Sequence, residues 1–323
     1  MKSCLREVVR VTQSALSTRV GVVIDIFSTS ILLEALAPSK LSTVSGYKNV
    51  KNLNIIHFVY TPNILKDPLK ETVKDALTGK NFKLGKYLLE YVNKVTTYPL
   101  IKTNTAFGYL MLASPLLYML SKALMSGDSS ATTVDRVIAE YHGLIIEGLK
   151  KETIKNFYLA LRKASMSHLG EYFGGVPSVN VGVDSILESF SLWEALKESM
   201  YLDLVSHEVI SGFKRVLEVH DELLKEKPSL RSLLESITSA HTKTLSKNLD
   251  TLVLKSKNLN NALLLKHLSM SRASVGVEVW NLLDKYVREN ELNPGATSDI
   301  VAAGLALYQV STYVIQGNER SAI

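Results

Sequence analysis

The residues best placed for chemistry lie near the C-terminal end, where Asn293-Pro294-Gly295-Ala296-Thr297-Ser298-Asp299 runs from a turn into an apolar stretch. A Pro-Gly turn ahead of a helix start presents backbone N–H groups. Together with the positive end of the helix dipole these suit a phosphate, and Asp299 could hold a Mg2+ bound to it. A capped helix start accounts for the same residues without a ligand. Residues 101–108 form a second polar opening to an apolar helix. Thr103 or Asn104 can cap it, and Gly108, one turn later, permits close approach of a neighbouring helix or ligand. Capping and packing explain this segment as well. The Gly-rich residues 168–177 have neither the phosphate-loop nor the dinucleotide-binding spacing and read as a loop.

Other chemistry-bearing residues are scattered. His57, His142, His168, His207, His220, His241 and His267 show no metal-ligand spacing and no recognisable Ser-His-Asp order, so they read as surface or satisfied core residues. Lys243, Lys247, Lys255, Lys257, Lys266 and Arg272 make a basic stretch relieved by Asp250. Without interleaved aromatics it reads as a solvated face rather than a nucleic-acid surface. A single cysteine, Cys4, excludes an internal disulfide framework and a Cys-based zinc site, and the expected compartment is the cytoplasm. Arg6, Arg10 and Arg19 interrupt the start, so no secretory signal is expected.

These residues must be positioned by a packed core, which 323 residues at 46% hydrophobic and 21% charged can supply. Helical spacing dominates. Val279, Leu282, Leu283, Tyr286 and Val287 form one apolar stripe, with Glu278, Asp284, Lys285 and Arg288 on the surface, and Leu202, Val205, Val209, Phe213 and Val216 form another. Strand alternation is limited to residues 54–60 and 176–183. The pattern predicts an all-α protein, a single multi-helix domain over 1–323 with buried central helices. Helices are expected near 4–36, 64–77, 82–95, 104–124, 133–149, 151–167, 190–224, 229–246, 259–268, 271–290 and 298–316. Start signals are Thr132 with Asp135, Ser229 after Pro228, and Thr297 or Ser298 with Asp299. Residues 126–130 and 170–182 are the best candidate breaks, and neither resembles a flexible tether. The uncharged runs 103–121 and 300–318 approach bilayer length but carry polar residues or Pro115, and read as core helices rather than membrane spans.

Taken in order, several segments resemble the triphosphoribosyl-dephospho-CoA synthase family. Residues 292–304, Leu-Asn-Pro-Gly-Ala-Thr-Ser-Asp-Ile-Val-Ala-Ala-Gly, are similar to its "LNPGxTADLVAAG" signature. Asn104-Thr105 with Gly108 and the run to Leu116 are similar to its "NT-x-x-G-x-x-LLL-A-PL" helix start. Asp250-Thr251 with Lys255 is similar to its "DT-x-I-x-R/K" segment, and residues 32–38 to the "LLE-x-xAP" leading into its N-terminal motif. The resemblance implies an all-α fold and transfer of the triphosphoribosyl group of ATP to dephospho-CoA or a related phosphorylated acceptor, with release of adenine and with Mg2+ as cofactor. It implies catalytic roles for Glu34 and Asp299, with Asp299 also on the metal. Asn104, Thr105, Gly108, Lys255, Gly295, Thr297 and Ser298 are implied as nucleotide-binding. The partners implied are a nucleotide and a CoA-like small molecule, to which the formal charge of +6 is then tied; a homo-oligomer stays open.

The chain departs from the family after its alanine-proline. There the family reads "KPGNV", followed by a segment with two aspartates; here stand Ser39-Lys40-Leu41-Ser42-Thr43-Val44 and then residues 47–52, with Asn49 and Asn52 in place of the carboxylates and Ser256 after Lys255. An amide neither takes a proton nor neutralises a cation as a carboxylate does. The alternative reading is therefore a divergent paralogue that binds a nucleotide or CoA-like ligand without the family's chemistry.

Overall fold

A computed structural model of the protein describes residues 2–46, 48–50, 52–126, 133–165 and 174–315, with side chains described from Thr18 onward. The side chain of Cys4, the residues Thr132 and His168, and the stretches 127–130 and 170–173 of the two candidate breaks lie outside the described residues.

Among the described residues the chain forms fifteen α-helices and no named strand. They are α1 (Lys2–Leu36), α2 (Ile55–Leu77), α3 (Leu84–Thr97), α4 (Phe107–Ser126), α5 (Val134–Lys151), α6 (Lys155–Lys163), α7 (Asp184–Glu188), α8 (Leu192–Ser199), α9 (Leu204–Ser211), α10 (Lys214–Glu226), α11 (Leu233–Lys247), α12 (Thr251–Ser256), α13 (Leu259–Ser271), α14 (Val277–Glu289) and α15 (Gly295–Val310). The all-α expectation holds, and the reason is visible in the two most apolar helices. Residues 107–121 of α4 are buried except Gly108, and α15 is buried along nearly its whole length. α4 and the helical stretch Gly295–Ile315 that opens with α15 are long and apolar enough to cross a membrane by length and composition, yet 83% and 61% of their most apolar windows are buried inside the protein. The two pack on each other, and further helices surround them: α1, α10 and α11 pack on α15, and α1, α2, α3, α5 and α9 on α4. The contact of α15 with α10 is close enough to exclude a side chain at Gly304, where an added Cβ would lie 2.6 Å from Val219 Cβ and 2.8 Å from the Val216 carbonyl oxygen.

Several local expectations need correction. Residues 54–60 are not a strand. Asn54 caps α2, accepting from the Ile56 N–H at 3.0 Å, while the His57 ring nitrogen accepts the Asn54 N–H at 3.2 Å, so the helix starts well before residue 64. Residues 176–183 form no strand either, because side chains take up their carbonyls: the Tyr158 hydroxyl donates to Pro177 at 2.7 Å and the Arg162 guanidinium to Val179 and Val181. The helix expected over 190–224 is three, α8 to α10. The stripe from Leu202 to Val216 is broken by left-handed backbone at Gly212 and Phe213, and Leu202 is exposed. α15 starts at Gly295 with Pro294 as its flanking residue, so Thr297 and Ser298 lie in its first turn and cap nothing.

The largest correction concerns α14. Val279, Leu282 and Tyr286 of its apolar stripe are exposed, whereas Asp284, assigned to the surface, is buried with Trp280 and Val287. Its orientation is set by the segment that follows α1. Asp284 accepts from Arg288 Nε through both oxygens at 2.9 Å, from the Ser42 N–H at 2.8 Å and from Lys48 Nζ at 2.8 Å, and the Trp280 indole donates to the Ser39 carbonyl at 3.1 Å. The paired cations and N–H donor hold the buried carboxyl below its usual range despite desolvation. A buried charge so satisfied pins the segment between α1 and α2 against the C-terminal third of the chain.

Candidate active site

The first turn of α15 is locked by Asp250. This fully buried residue caps α12, its Oδ1 accepting the N–H groups of Leu252 and Val253 at 3.0 and 3.1 Å. Its Oδ2 accepts the Thr297 N–H and hydroxyl, both at 2.8 Å. Burial raises its pKa, and these hydrogen bonds oppose the rise. The next residue, Thr251, accepts the Leu204 N–H at 3.0 Å, and Asp203 caps α9 through Ser206 while its second oxygen pairs with Lys255. Asp250-Thr251 thus joins the starts of α9, α12 and α15. The N–H groups expected to be free for a phosphate are mostly spent inside the protein: Gly295 donates to Asn293, Thr297 to Asp250, and Ser298 to Pro294.

Asp299 follows on the same turn and reaches the start of α4. Its Oδ2 lies so close over Gly108 that a Cβ there would be 2.1 Å away. Its carboxyl is pushed well above the usual range by burial first, then by the negative charges of Glu34, Asp250 and Asp203, against an opposing hydrogen bond from the Tyr109 N–H. Glu34, at the end of α1, is buried and paired at 2.6 Å with Lys40, an entirely buried lysine that also donates to the Glu34 carbonyl. Burial pulls the Lys40 ammonium down, and Glu34 offsets part of that. His241 of α11 completes this side. Burial and then the Lys40 charge drive its pKa well below the ordinary value, its Nε2 lies 3.4 Å from the Ser298 hydroxyl, and its buried Nδ1 has no partner among the described residues.

Asn104 and Thr105 lie one turn before Gly108. The Asn104 side-chain oxygen accepts the N–H groups of Ala106 and Phe107 at 3.3 and 3.1 Å and the Tyr91 hydroxyl at 3.2 Å, so the expected cap is present. The Thr105 hydroxyl bonds that of Thr61 at 2.7 Å. The Tyr91 phenol is pushed up to about 12, chiefly by burial, with Asp299 among the contributing charges. Glu34, Gly108, Gly295, Thr297, Ser298 and Asp299 therefore gather at one place, with Asn104 and Thr105 at its edge. Lys255 stands beside the same carboxylates, bound to Asp203.

Sequence reasoning did not single out Lys40, Asp203 or His241, and named Asp250 only as part of a motif. A buried histidine and a fully buried lysine carry no spacing signal, since each is defined by distant neighbours. Four carboxylates, Glu34, Asp203, Asp250 and Asp299, meet two cations, Lys40 and Lys255, and no cation among the described residues pairs with Asp299. That imbalance fits a divalent cation. A second carboxylate group, Asp135, His220 and Asp221, has ligand atoms within 4.8 Å of one another. It sits near Ser311, which His220 contacts, about 18 Å along α15 from Asp299 at 1.5 Å per residue. A surface cavity of about 420 Å³ is lined by residues such as Lys150, Glu152 and Trp193 and shares none with this site. Size is a poorer guide here than convergent carboxylates with shifted proton affinities.

The fold and site define an all-α protein with a carboxylate-rich centre built from both ends of the chain. The sequence profile of the ATP:dephospho-CoA triphosphoribosyl transferase family matches residues 22–316, and the chain belongs to that family. A crystal structure from Archaeoglobus fulgidus, assigned as a triphosphoribosyl-dephospho-CoA synthase, superimposes with a TM-score of 0.53 at 17% identity, covering 77% of this chain and 98% of that one. At that identity the likeness establishes a shared fold. No curated protein sequence matches the chain.

Set in register with the family's Lys-Pro-Gly-Asn-Val, residues 40–44 keep the lysine. Ser42 occupies the glycine position with φ +54°, a left-handed backbone that glycine adopts most readily. Asn49 and Asn52 are exposed.

Proposed function

We propose that the protein transfers the triphosphoribosyl group of ATP to dephospho-CoA, or to a related phosphorylated acceptor, with release of adenine. The observation that carries the reading is the meeting of Glu34 and Asp299, 265 positions apart in sequence, among carboxylates that outnumber their cations. In the reaction an acceptor hydroxyl bonds to the anomeric carbon as the bond to adenine breaks. The hydroxyl proton passes to a base, adenine takes up a proton as it departs, and the triphosphate stays on the ribose.

A carboxyl whose proton affinity is raised by burial and by neighbouring negative charge is suited to receive the hydroxyl proton, and Asp299 is such a group. The negative charge around Asp299 also favours the positive charge that develops on the ribose as adenine leaves. Glu34, held in place by Lys40, keeps the affinity of Asp299 raised. Asp250, Thr297 and Gly295 set the α15 turn, and Gly108 admits the carboxylate against α4. Asn104, Thr105, Ser298 and Lys255 border the nucleotide. Mg2+ fits the residual negative charge beside Asp299 and Glu34; when bound it neutralises phosphate charge. We read the chain as one such domain acting in the cytoplasm on small molecules.

The Asn49 and Asn52 replacements leave these four carboxylates in place, which supports catalysis over the binding-only alternative. The test is incubation with ATP, Mg2+ and dephospho-CoA, with chromatography for free adenine. Adenine accumulating in proportion to enzyme is the expected result. Nucleotide binding without adenine would favour the binding-only paralogue.

A further inference from the structure

Beside Asn104 a second cavity, about 240 Å³, opens between α3, the end of α6 and the segment entering α4. Val92, Val95 and Ala164 are its apolar lining. Its polar lining is Thr96, Lys102, Thr103, Asn104, Lys163 and Ser165, with no carboxylate. Three other lysines of these helices are paired: Lys86 with Glu71 and Asp75, Lys94 with Asp67, and Lys155 with Asp184 and Glu188. Lys102 and Lys163 have no carboxylate partner among the described residues, and Lys163 donates only to the Asn93 amide oxygen at 2.7 Å. The Asn104 oxygen is committed to the α4 cap, which leaves its amide N–H groups as donors at the cavity edge. The cavity therefore offers ammonium, hydroxyl and amide donors and an uncompensated positive charge.

Size narrows the ligand. The cavity's 240 Å³ falls below the roughly 300–1,000 Å³ of pockets that enclose a drug-sized ligand. The space suits the charged end of a substrate. Position connects it with the chemistry: Gly108, which touches Asp299, follows Asn104 by four residues and lies in the first turn of the helix that the Asn104 oxygen caps.

We propose that this cavity is a polyphosphate subsite, in which Lys102 and Lys163 hold the phosphates of a substrate whose reacting carbon lies at Asp299. The proposal rests on the transferase reading for the identity of that substrate. Two substrates carry such a chain, ATP with three phosphates and dephospho-CoA with two, and the lining recognises the chemistry they share. A positive cleft next to a negative centre also orients a substrate that is anionic at one end and reacts at the other.

The experiment uses inorganic tripolyphosphate as probe, by isothermal titration calorimetry, on the full chain and on the Lys102→Ala/Lys163→Ala variant. A Lys225→Ala/Lys227→Ala variant, on the exposed end of α10, serves as charge control. The expected result is a dissociation constant raised about tenfold or more in the first variant, as befits loss of two charge-assisted contacts, and weakened by added salt in the wild type. The control pair moves it less than about twofold, the scale of a distant, screened charge. Equal weakening by both pairs would reduce the effect to net charge and overturn the subsite, as would unchanged tripolyphosphate affinity. Steady-state kinetics assigns the occupant: a raised KM for ATP alone places the triphosphate there, and a raised KM for dephospho-CoA alone places its diphosphate there. Tripolyphosphate binding that depends on the two lysines, in a protein that releases no adenine, keeps the subsite and removes the transferase reading.

Discussion

Gly108→Ala tests whether the placement of Asp299 controls the chemistry. The added Cβ would sit 2.1 Å from Asp299 Oδ2 and 3.1 Å from its Cγ, against 3.5 Å from Val205 Cγ2, an ordinary contact. Reaching the 3.4 Å at which normal contact begins requires the carboxylate to retreat by about 1.3 Å. The obstruction is the far end of a side chain, which can rotate away. In addition, alanine is favoured over glycine inside a helix by about 0.5–1 kcal/mol. The fold should survive, with Tm within about 4 °C of wild type. Catalysis should not, because a displacement of about 1 Å in a catalytic group costs on the order of 100-fold, or about 2.7 kcal/mol of barrier. The assay is adenine release under saturating ATP, Mg2+ and dephospho-CoA. A double-mutant cycle with Asp299→Asn isolates the cause: once the carboxylate is gone, adding Gly108→Ala should cost less than about threefold. Full activity in Gly108→Ala, or an equal loss with and without Asp299, would refute the argument.

Two further outcomes follow from buried charges. Lys40→Met leaves Glu34 buried without its partner and should destabilise the protein by about 3–5 kcal/mol by urea titration, while Glu34→Gln/Lys40→Met should recover most of that; equal stability of both variants would count against a buried pair. Glu152 is 7% exposed, accepts the Gly85 and Lys86 N–H groups at 3.1 and 3.0 Å, and has its pKa pushed up by burial to about 7 from 4.5. Because the folded state holds the proton more tightly, its contribution to stability is complete below about pH 4.5, falls as pH rises toward 7 and is lost above it, by up to about 3 kcal/mol. Urea titrations at pH 5 and 8 should show the stability difference between wild type and Glu152→Gln changing by about that amount, and a constant difference would contradict it.

Much of the architecture is legible in the chain. The uncharged runs mark α4 and α15, Asn104 marks a cap, and most helices fall near the residues where periodicity places them. The misses share one origin. Asn54 to Tyr60 alternates like a strand, but Asn54 and His57 close a capping box whose geometry period counting does not weigh. Asp284 looks like the polar side of a stripe, and it is buried because Lys48, Arg288 and the Ser42 N–H surround it.

By itself the sequence determined the helical class, the central apolar helices and the family, each of which depends on local spacing and on the order of short motifs. Only the tertiary structure decided which charges share an environment. Helix packing brings Glu34 from α1 and Asp203 and Asp250 from the starts of α9 and α12 close enough to Asp299 of α15 to raise its cost of ionisation, with Lys40 and His241 beside them. The physical reason is that proton affinity depends on burial and on charges a few ångströms away, and those neighbours lie up to 265 positions apart along the chain.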